Sequence, residues 1–300
     1  MKLAAHFPVQ GVIAATHLKT RLILFAVLLL LSIPTSSRGG EQPAAYTSQQ
    51  GKPPSIGSTF NGEKFHYRIS FWWFKNVADG HIAITRDGDG FLITLSAETA
   101  GFIGWVTKHR KDYYRAYVEE VEGGRRFRLK RFEKEVTIGK RVRKGITTMD
   151  YEKRLMTKRS WGGGKGEKSG EEPIPEDTYY DDPLTAFYNF RYGVYGPIEE
   201  GREYYITTFP KNGVSTMYQR LATGEEKLKR TKKRNPAGYL ADIRIEREMF
   251  GSQTGNVEVI YSKELIPLEG VVKDVVFFGD VRGKLVDRKS GADTQQVGYR

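Results

Sequence analysis

The sequence predicts a mainly all-β fold: a large antiparallel meander curled into a barrel or a clam-like half barrel, with one central helix at about 182–192. Three observations indicate this class. Apolar and polar residues alternate in many short segments, turn sequences such as Asp87-Gly88-Asp89-Gly90 separate them, and the βαβ alternation of a parallel sheet does not appear. A sheet of roughly a dozen strands does not stay flat, so it is expected to curl.

The N-terminal segment is typical of an export signal. Basic residues precede an apolar run of twelve residues, 22–33, and small residues follow at 35–37. A membrane-spanning helix needs roughly 20 residues, so this run has the length of a signal-peptide core. We expect residues 1–37 to be a signal peptide and the protein to be exported to the periplasm, soluble or peripherally attached. An uncleaved anchor or a buried helix is the alternative.

The rest of the chain is predicted to contain one domain. Residues 38–58 are rich in Gly, Pro and Ser and indicate a flexible linker, 59–288 a single β-rich domain, and 289–300 a C-terminal tail. Without residues 1–37 the net charge falls from +12 to +9, because that segment holds three basic residues and no acidic one. This excess favours anionic partners, either lipid or polysaccharide of the envelope. The absence of cysteine excludes disulfides and thiol chemistry.

The first predicted strand is unusually aromatic. Residues Phe65–Trp73 alternate, and the second half, which includes Trp72 and Trp73, is apolar on both faces. Either this half packs in the core or it lines an apolar cavity that holds a lipophilic molecule. Trp72 and Trp73 are therefore candidate binding residues. Further strands are predicted at 82–84, 91–97, 113–121, 127–131, 136–142, 146–151, 203–209, 214–221, 240–247, 257–262, 271–278 and 281–286, with a turn at 143–145 and a mobile loop at 161–177.

The central helix has clear local signals. Asp182 is suited to the N-cap position, and Pro183 to the first helical position, where its missing N–H costs nothing. Leu184, Phe187, Tyr188 and Arg191 follow at helical spacing and form one face. We expect Asp182, Pro183, Phe187 and Arg191 to have structural roles, with the helix packed against an opening of the sheet.

The order of three motifs resembles a known family. Gly62-Glu63 with Tyr67 opens the domain, Asp182–Arg191 forms the middle motif, and Ile266-Pro267 precedes a final strand that contains Gly279 and Gly283. The chain resembles the bacterial exported family catalogued as domain of unknown function 3108 over about residues 58–288. The resemblance implies a barrel-like β fold and no established activity, and no catalytic residue can be carried over.

Residues that support enzyme chemistry are few. His66, His81 and His109 lack the spacing of metal ligands, and the glycine-rich segment 162–169 has Glu167 where a phosphate-binding loop needs lysine. Glu176, Asp177, Asp181 and Asp182 form a carboxylate cluster that is suited to acid–base work or to a cation. The alternative is that Asp182 caps the helix and the others are solvated. We therefore predict a non-enzymatic protein without a cofactor.

A basic run at 227–234 is the second binding candidate. Lys229, Arg230, Lys232 and Lys233 are suited to hold phosphate groups of an anionic envelope surface. The alternative is a solvated loop between strands. No aromatic residue interleaves with the run, so nucleic acid is not expected.

These observations lead to one functional expectation with two alternatives. We expect an exported cell-envelope protein that binds or carries a lipophilic or polyanionic envelope component. The first alternative is a structural or assembly factor that binds a protein partner through a sheet edge, and the second is a hydrolase that uses the acidic cluster.

Overall fold

In the computed structural model, all the strands among the described residues belong to a single antiparallel sheet of fourteen strands. The structure describes residues 53–106, 108–162, 164–209, 215–231, 238–245, 252–275 and 278–291. The predicted signal peptide, most of the predicted linker, Lys232 and Lys233 lie outside these residues. The strands are β1 (Lys64–Phe71), β2 (Phe74–Asp87), β3 (Gly90–Thr99), β4 (Lys111–Val121), β5 (Arg126–Ile138), β6 (Arg141–Asp150), β7 (Leu155–Gly162), β8 (Lys165–Pro173), β9 (Glu203–Thr208), β10 (Ser215–Leu221), β11 (Tyr239–Arg244), β12 (Asn256–Tyr261), β13 (Pro267–Val275) and β14 (Gly279–Lys289).

The sheet is built from two meanders joined at their first and last strands. Its order is β8-β7-β6-β5-β4-β3-β2-β1-β14-β13-β12-β11-β10-β9, and β1 pairs antiparallel with β14. Strands β8 and β9 are the outermost strands and do not pair with each other in the described part of the chain. The large antiparallel meander predicted from the sequence is confirmed, and the sheet is open.

The sheet curls around one buried helix. Four helices are described: α1 (Ile56–Phe60), α2 (Gly101–Val106), α3 (Pro183–Tyr192) and α4 (Gly224–Thr231). Every residue of α3 from Leu184 to Arg191 is buried, so the helix is covered on all sides and not on one face alone. Phe132 of β5 contacts Phe209, just after β9, with 5.8 Å between ring centroids, although nine strands lie between β5 and β9 in the sheet. This contact shows how far the sheet curls.

One end of the sheet gathers all four tryptophans of the chain, and we call it the tryptophan end. Trp72 and Trp73 connect β1 to β2, and Trp105 lies in α2, which follows β3. Trp161 lies near the end of β7. Because neighbouring strands are antiparallel, the ends of odd-numbered strands up to β7 share this end with the starts of the even-numbered ones.

The predicted aromatic strand is shorter than expected. Strand β1 ends at Phe71, and Trp72 and Trp73 form a hairpin tip at which Trp72 has a positive φ of 49°. The interpretations that these two residues pack in the core or line a cavity are both wrong, because Trp72 is 60% and Trp73 76% exposed. The run misled the prediction because an apolar turn continues the apolar strand without a Gly or Asn to mark the change.

Two predicted turns or loops are strands. The turn predicted at 143–145 lies inside β6, because β5 and β6 connect at Gly139 and Lys140. The mobile loop predicted at 161–177 is wrong for most of its length, since β7 and β8 pair from Leu155↔Pro173 to Gly162↔Lys165. Both faces of β8 are largely exposed, so its sequence has no apolar alternation to reveal a strand.

Two helices lie where the sequence predicted flexible chain. Helix α1 occupies the last residues of the predicted linker, where Ser55 caps it and Ile56 is fully buried. Helix α4 covers the first part of the basic run, so the interpretation of a loop is wrong up to Thr231. None of the described helices has both the length and the hydropathy that crossing a membrane requires.

Candidate functional site

A buried ion pair joins the helix to the start of the sheet. Arg191, at the end of α3, donates from Nη1 to Glu63 Oε2 at 2.6 Å and from Nη2 to Glu63 Oε1 at 3.0 Å. Their side chains are 2% and 3% exposed. Arg288 of β14 adds a contact of 3.1 Å to Glu63. A bidentate pair of this kind sets the rotation of the helix within the sheet, because leaving either charge alone in the interior is costly.

The third motif of the sequence meets the same arginine. Arg191 Nε donates to the carbonyl oxygen of Leu265 at 3.0 Å, directly before Ile266 and Pro267. The hydroxyl of Tyr67 donates to the carbonyl of Pro267 at 3.5 Å. All three motifs therefore converge on one buried network. Their shared role is to hold the helix, the first strand and the β12–β13 connection together.

The start of α3 is held by two buried carboxylates. Asp182 is the N-cap, as predicted, and its carboxylate accepts from Leu184 N at 2.8 Å, Thr185 N at 3.4 Å and the Thr185 hydroxyl. Burial raises the pKa of Asp182 to about 7, against the lowering effect of the bonds from Thr185 and Leu184. This acid therefore titrates near neutral pH.

The neighbouring Asp181 is not solvated, contrary to the sequence-based alternative. It accepts from Arg126 at 2.9 Å, Tyr195 at 2.6 Å and Asn189 at 3.3 Å. Burial raises its pKa to about 6, against the lowering effects of Arg126, Tyr195 and Asn189. Asp181 is 1% and Asp182 0% exposed, so the two carboxylates face the interior.

The histidines do not assemble a metal site in the described chain. His66 and His81 stack on the outer face of β1 and β2 with 4.4 Å between centroids, and His66 contacts Asp79 at 2.8 Å. Within the described ranges, no group of three or more His, Asp or Glu side chains has an arrangement that could hold a metal ion.

The tip of the β1–β2 hairpin is an exposed aromatic surface that packs on buried rings. Trp72 and Trp73 lie 5.4 Å apart between centroids, and Phe71 packs against Phe278 at 4.8 Å beneath them. A Cβ atom at Gly279 would lie 2.7 Å from Trp72 Nε1, so only glycine leaves room for this indole. The exposed rings are therefore anchored on a buried aromatic base and are not loosely attached.

The surroundings of this tip are basic. Lys75, Lys108 and Lys140 are exposed and form no ion pair with any described residue. Two acidic neighbours at the same end are neutralised, since Glu98 pairs with Lys111 at 2.7 Å and Asp280 with Lys273 at 3.0 Å. Asp274 is exposed and forms no ion pair with a described residue, so the three lysines outnumber it. The tryptophan end therefore combines exposed indoles with an excess of positive charge.

The predicted basic run is compensated by acidic residues at the opposite end. Lys229 pairs with Glu225 at 2.7 Å, and Arg230 pairs with Asp242 Oδ2 at 2.8 Å and with Glu258 at 2.6 Å. Of the four residues proposed from this run, Lys229 and Arg230 are thus engaged within the protein. Lys232 and Lys233 lie outside the described residues.

These observations define the class of protein: a curved antiparallel sheet around a buried helix that three motifs hold in place. The profile of the family described as "Protein of unknown function (DUF3108)" matches residues 66–286, and the chain belongs to this family. The resemblance stated from the motifs is thereby confirmed.

Two solved structures are similar to the chain at low identity. The first is a β-barrel-like protein of the domain-of-unknown-function family DUF1849 from Brucella abortus, with a TM-score of 0.44 and 11% identity over 77% of this chain and 98% of that one. The second is a DUF1089 family protein from Pseudomonas aeruginosa, with a TM-score of 0.28 and 11% identity over 75% of this chain and 94% of that one. A comparison with curated proteins finds no match.

Sequence reasoning missed Trp105 and the free lysines as part of one surface. Trp105 is 71% exposed and lies 32 residues beyond Trp73 in the chain. The spacing gives no sign that the two share an end of the sheet. The available signal is that each tryptophan lies in or near the connection that follows an odd-numbered strand. This signal can be used only once the directions of the strands are known.

Proposed function

We propose that the protein binds the anionic lipid surface of the cell envelope through its tryptophan end. The observation that carries this proposal is the position of all four tryptophans at one end, with Trp72, Trp73 and Trp105 exposed by 60–76%. An indole has an apolar body and one N–H donor, so its preferred place is the boundary between lipid and water. The pattern of residues 1–37 supports an exported protein that meets such a surface in the periplasm.

Charge supports an anionic partner in particular. The free cations Lys75, Lys108 and Lys140 surround the indoles, and each charge near an anionic membrane surface contributes about 1 kcal/mol of attraction. Indoles that enter the headgroup region and lysines that remain at its surface are the combination used by proteins that lie on membranes.

The interior of the sheet favours surface binding over carrying. Helix α3 fills the centre of the curl, and its residues Leu184–Arg191 are all buried. Trp72 and Trp73, which the sequence suggests as a cavity lining, are exposed to solvent and do not face this interior. The same surface, and not an internal cavity, therefore accounts for both the lipophilic and the anionic parts of the expected ligand.

A protein partner bound along a sheet edge receives less support. The outer edge of β8 carries the sequence Lys165–Pro173, in which lysines and glutamates alternate with glycines. This composition is typical of edges protected against pairing with another strand. Part of the β9 edge is already used, because Asp181 N donates to the carbonyl of Thr207 at 3.0 Å.

Vesicle binding tests the proposal directly. The mature protein is mixed with phosphatidylcholine vesicles with or without phosphatidylglycerol, and tryptophan fluorescence reports binding because every indole lies at the proposed surface. We expect a blue shift with the anionic vesicles. The Trp72→Ala/Trp73→Ala variant should bind at least about 30-fold more weakly, since two indoles lose about 2 kcal/mol of transfer energy.

The matched control is Tyr205→Ala. Tyr205 is 66% exposed but lies on β9, which five strands separate from β1 in the sheet, so its loss should leave vesicle binding unchanged. The double variant lacks two of the four tryptophans that report binding by fluorescence. The affinities are therefore measured by sedimentation with vesicles. Equal binding by the parent and the double variant, or no binding by the parent, rejects the proposal.

A further inference from the structure

Strands β6, β7 and β8 extend the sheet beyond the point where it closes over the helix. The sheet closes where Phe132 of β5 contacts Phe209, and β6, β7 and β8 continue from β5 to the edge of the sheet. The inner face of the three strands is identified by Met149 and Met156, which pair directly and are buried in the core. Towards the tryptophan end, the same face leaves the core and becomes exposed.

The exposed part of this inner face is rich in cations. Residues that pair directly across an antiparallel sheet point to the same side, and so do residues two apart on a strand. The face can therefore be followed outward from the two methionines through the pairings of the sheet. Its rows are Phe132-Thr147-Lys158-Gly170, Lys134-Gly145-Ser160-Lys168 and Val136-Arg143-Gly162.

The two faces of this extension differ in charge balance. On the outer face, Lys144 pairs with Glu135 at 2.7 Å and Arg159 with Glu167 at 2.6 Å, so cations and anions compensate. On the inner face, Arg143 and Lys168 are exposed and form no ion pair with any described residue.

The remaining inner-face cations add to this asymmetry. Lys134 lies over the ring of Tyr114 at 5.5 Å, and Lys158 contacts Glu172 at 2.7 Å. Glu172 is the sole acidic residue in the inner-face positions of the described part of β6 to β8. Positive charge is therefore in excess on this face.

Small residues form a shallow floor between these cations. A side chain added at Gly170 would have no heavy atom within 4 Å, and one added at Gly145 would meet a single backbone oxygen at 3.9 Å. Ser160 lies between them and offers a hydroxyl. From strand geometry, Lys134 and Arg143 stand about 8 Å apart at Cα, as do Lys158 and Lys168, with about 14 Å between Arg143 and Lys158 across the floor.

We propose that this floor, which we call the cationic face, binds a lipid headgroup that carries several phosphates on a sugar-like ring. Lysine and arginine on opposite sides are placed to bind separate phosphates, and the glycines allow a flat ring to approach the backbone. The lipid source of the headgroup rests on the proposed function, because the cationic face lies at the tryptophan end and is continuous with that surface.

The test compares two anionic lipids at equal total charge. Phosphatidylcholine vesicles contain either phosphatidylglycerol, with one phosphate per headgroup, or a diphosphorylated disaccharide lipid of the lipid A type. The parent protein should prefer the second kind. The Arg143→Ser/Lys168→Ser variant should lose about 30-fold in affinity for these vesicles and less for phosphatidylglycerol vesicles.

A matched control separates a site from bulk attraction. The Lys144→Ser/Arg159→Ser variant removes the same charge from the same extension of the sheet, at positions on β6 and β7 that belong to the outer face. If the cationic face is a site, this control keeps the preference for the diphosphorylated lipid. Equal losses in the two variants would overturn the proposal, because they would show attraction to overall charge alone.

Two further measurements keep the two proposals distinguishable. Binding of soluble inositol hexakisphosphate, followed by calorimetry, needs no membrane, so it should persist in Trp72→Ala/Trp73→Ala and fail in Arg143→Ser/Lys168→Ser. The variant Gly170→Tyr fills the floor without changing charge and should also weaken this binding. If neither Arg143→Ser/Lys168→Ser nor Gly170→Tyr weakens the binding of inositol hexakisphosphate, the cationic face is not a site. This conclusion holds whatever the tryptophan variant shows.

Discussion

The centre of the molecule and its tryptophan end use similar residue types in opposite ways. At the centre, Arg191 and Glu63 are buried and satisfy each other, and the aromatic rings of α3 are enclosed by the sheet. At the tryptophan end, indoles face the solvent, and Lys75, Lys108 and Lys140 form no ion pair with described residues. The first arrangement holds the fold together, whereas the second leaves the apolar surface of the indoles in water, which is typical of a site for a partner.

This difference assigns different roles to motif and surface. The three motifs that identify the family meet at Arg191, where they hold elements in place, and nothing in that network reaches the surrounding solvent except through Arg288. The family signature is therefore a signature of architecture. Function is to be sought at the exposed end, where Gly279 beside Trp72 is the motif residue that the signature contributes.

The largest expected effect concerns the central ion pair. Arg191→Met should lower the free energy of unfolding by about 3 kcal/mol or more, because Glu63 is left buried with only the partly exposed Arg288 as partner. Denaturant unfolding followed by circular dichroism measures the loss. The double variant Glu63→Leu/Arg191→Met should lose less than the sum of the two single variants, since it removes both charges. A single-variant loss below 1 kcal/mol would contradict a structural role for the motif.

An intermediate effect is expected from the buried acid at the helix start. The pKa of Asp182 is raised from its usual value near 4 to about 7. Between these values the unfolded chain loses the proton while the folded protein keeps it, so stability falls as pH rises through this window. Each unit of pKa difference corresponds to about 1.4 kcal/mol, so the total effect is on the order of a few kcal/mol.

The variant Asp182→Asn isolates this contribution. Asparagine is also a good N-cap, so the helix start is retained. The stability of the variant relative to the parent should increase between pH 4 and pH 7 and then level off. Asp181 still titrates in both proteins, and the difference between them removes its contribution. A difference that stays constant with pH would show that Asp182 is ionised in the folded protein throughout.

The sequence predicted the elements whose signals are local. Helix α3 was found because its cap, its proline and its apolar spacing lie within ten residues of one another. The β2–β3 hairpin was found because Asp87-Gly88-Asp89-Gly90 marks the turn between two alternating segments, and the structure pairs Asp87 with Gly90. Neither prediction required any knowledge of distant contacts.

Helix α4 was missed although its signal is local. Thr223 and Glu226 form a capping box, in which Thr223 N donates to Glu226 Oε2 at 2.9 Å and Glu226 N donates to the Thr223 hydroxyl at 3.4 Å. Acidic residues follow in the first turn and basic residues in the last, which suits the helix dipole. The dense lysine and arginine residues of this segment are equally typical of a solvated loop, so the cap alone distinguishes the helix.

Other features depend on contacts that no sequence window contains. Glu63 and Arg191 are 128 positions apart, so their pairing is invisible before the sheet is assembled. Strands β7 and β8 are exposed on both faces towards their connection, and the alternation that reveals a strand arises only where one face is buried. The cationic face follows from the register of these strands, which a pattern of lysines and glycines does not specify.

The smallest expected effect on stability is at the tryptophan end, and it makes the comparison sharpest. Trp73→Ala should change the free energy of unfolding by less than about 0.5 kcal/mol, because the ring is 76% exposed and few contacts are lost. Two positions earlier, Phe71 is 7% exposed and packs against Phe278, so Phe71→Ala should cost about 3 kcal/mol or more. Thermal and denaturant unfolding of the two variants under identical conditions measures both. If Trp73→Ala destabilised the protein as much as Phe71→Ala, the exposed indoles would be part of the core of the fold, and the need for a partner at this end would disappear.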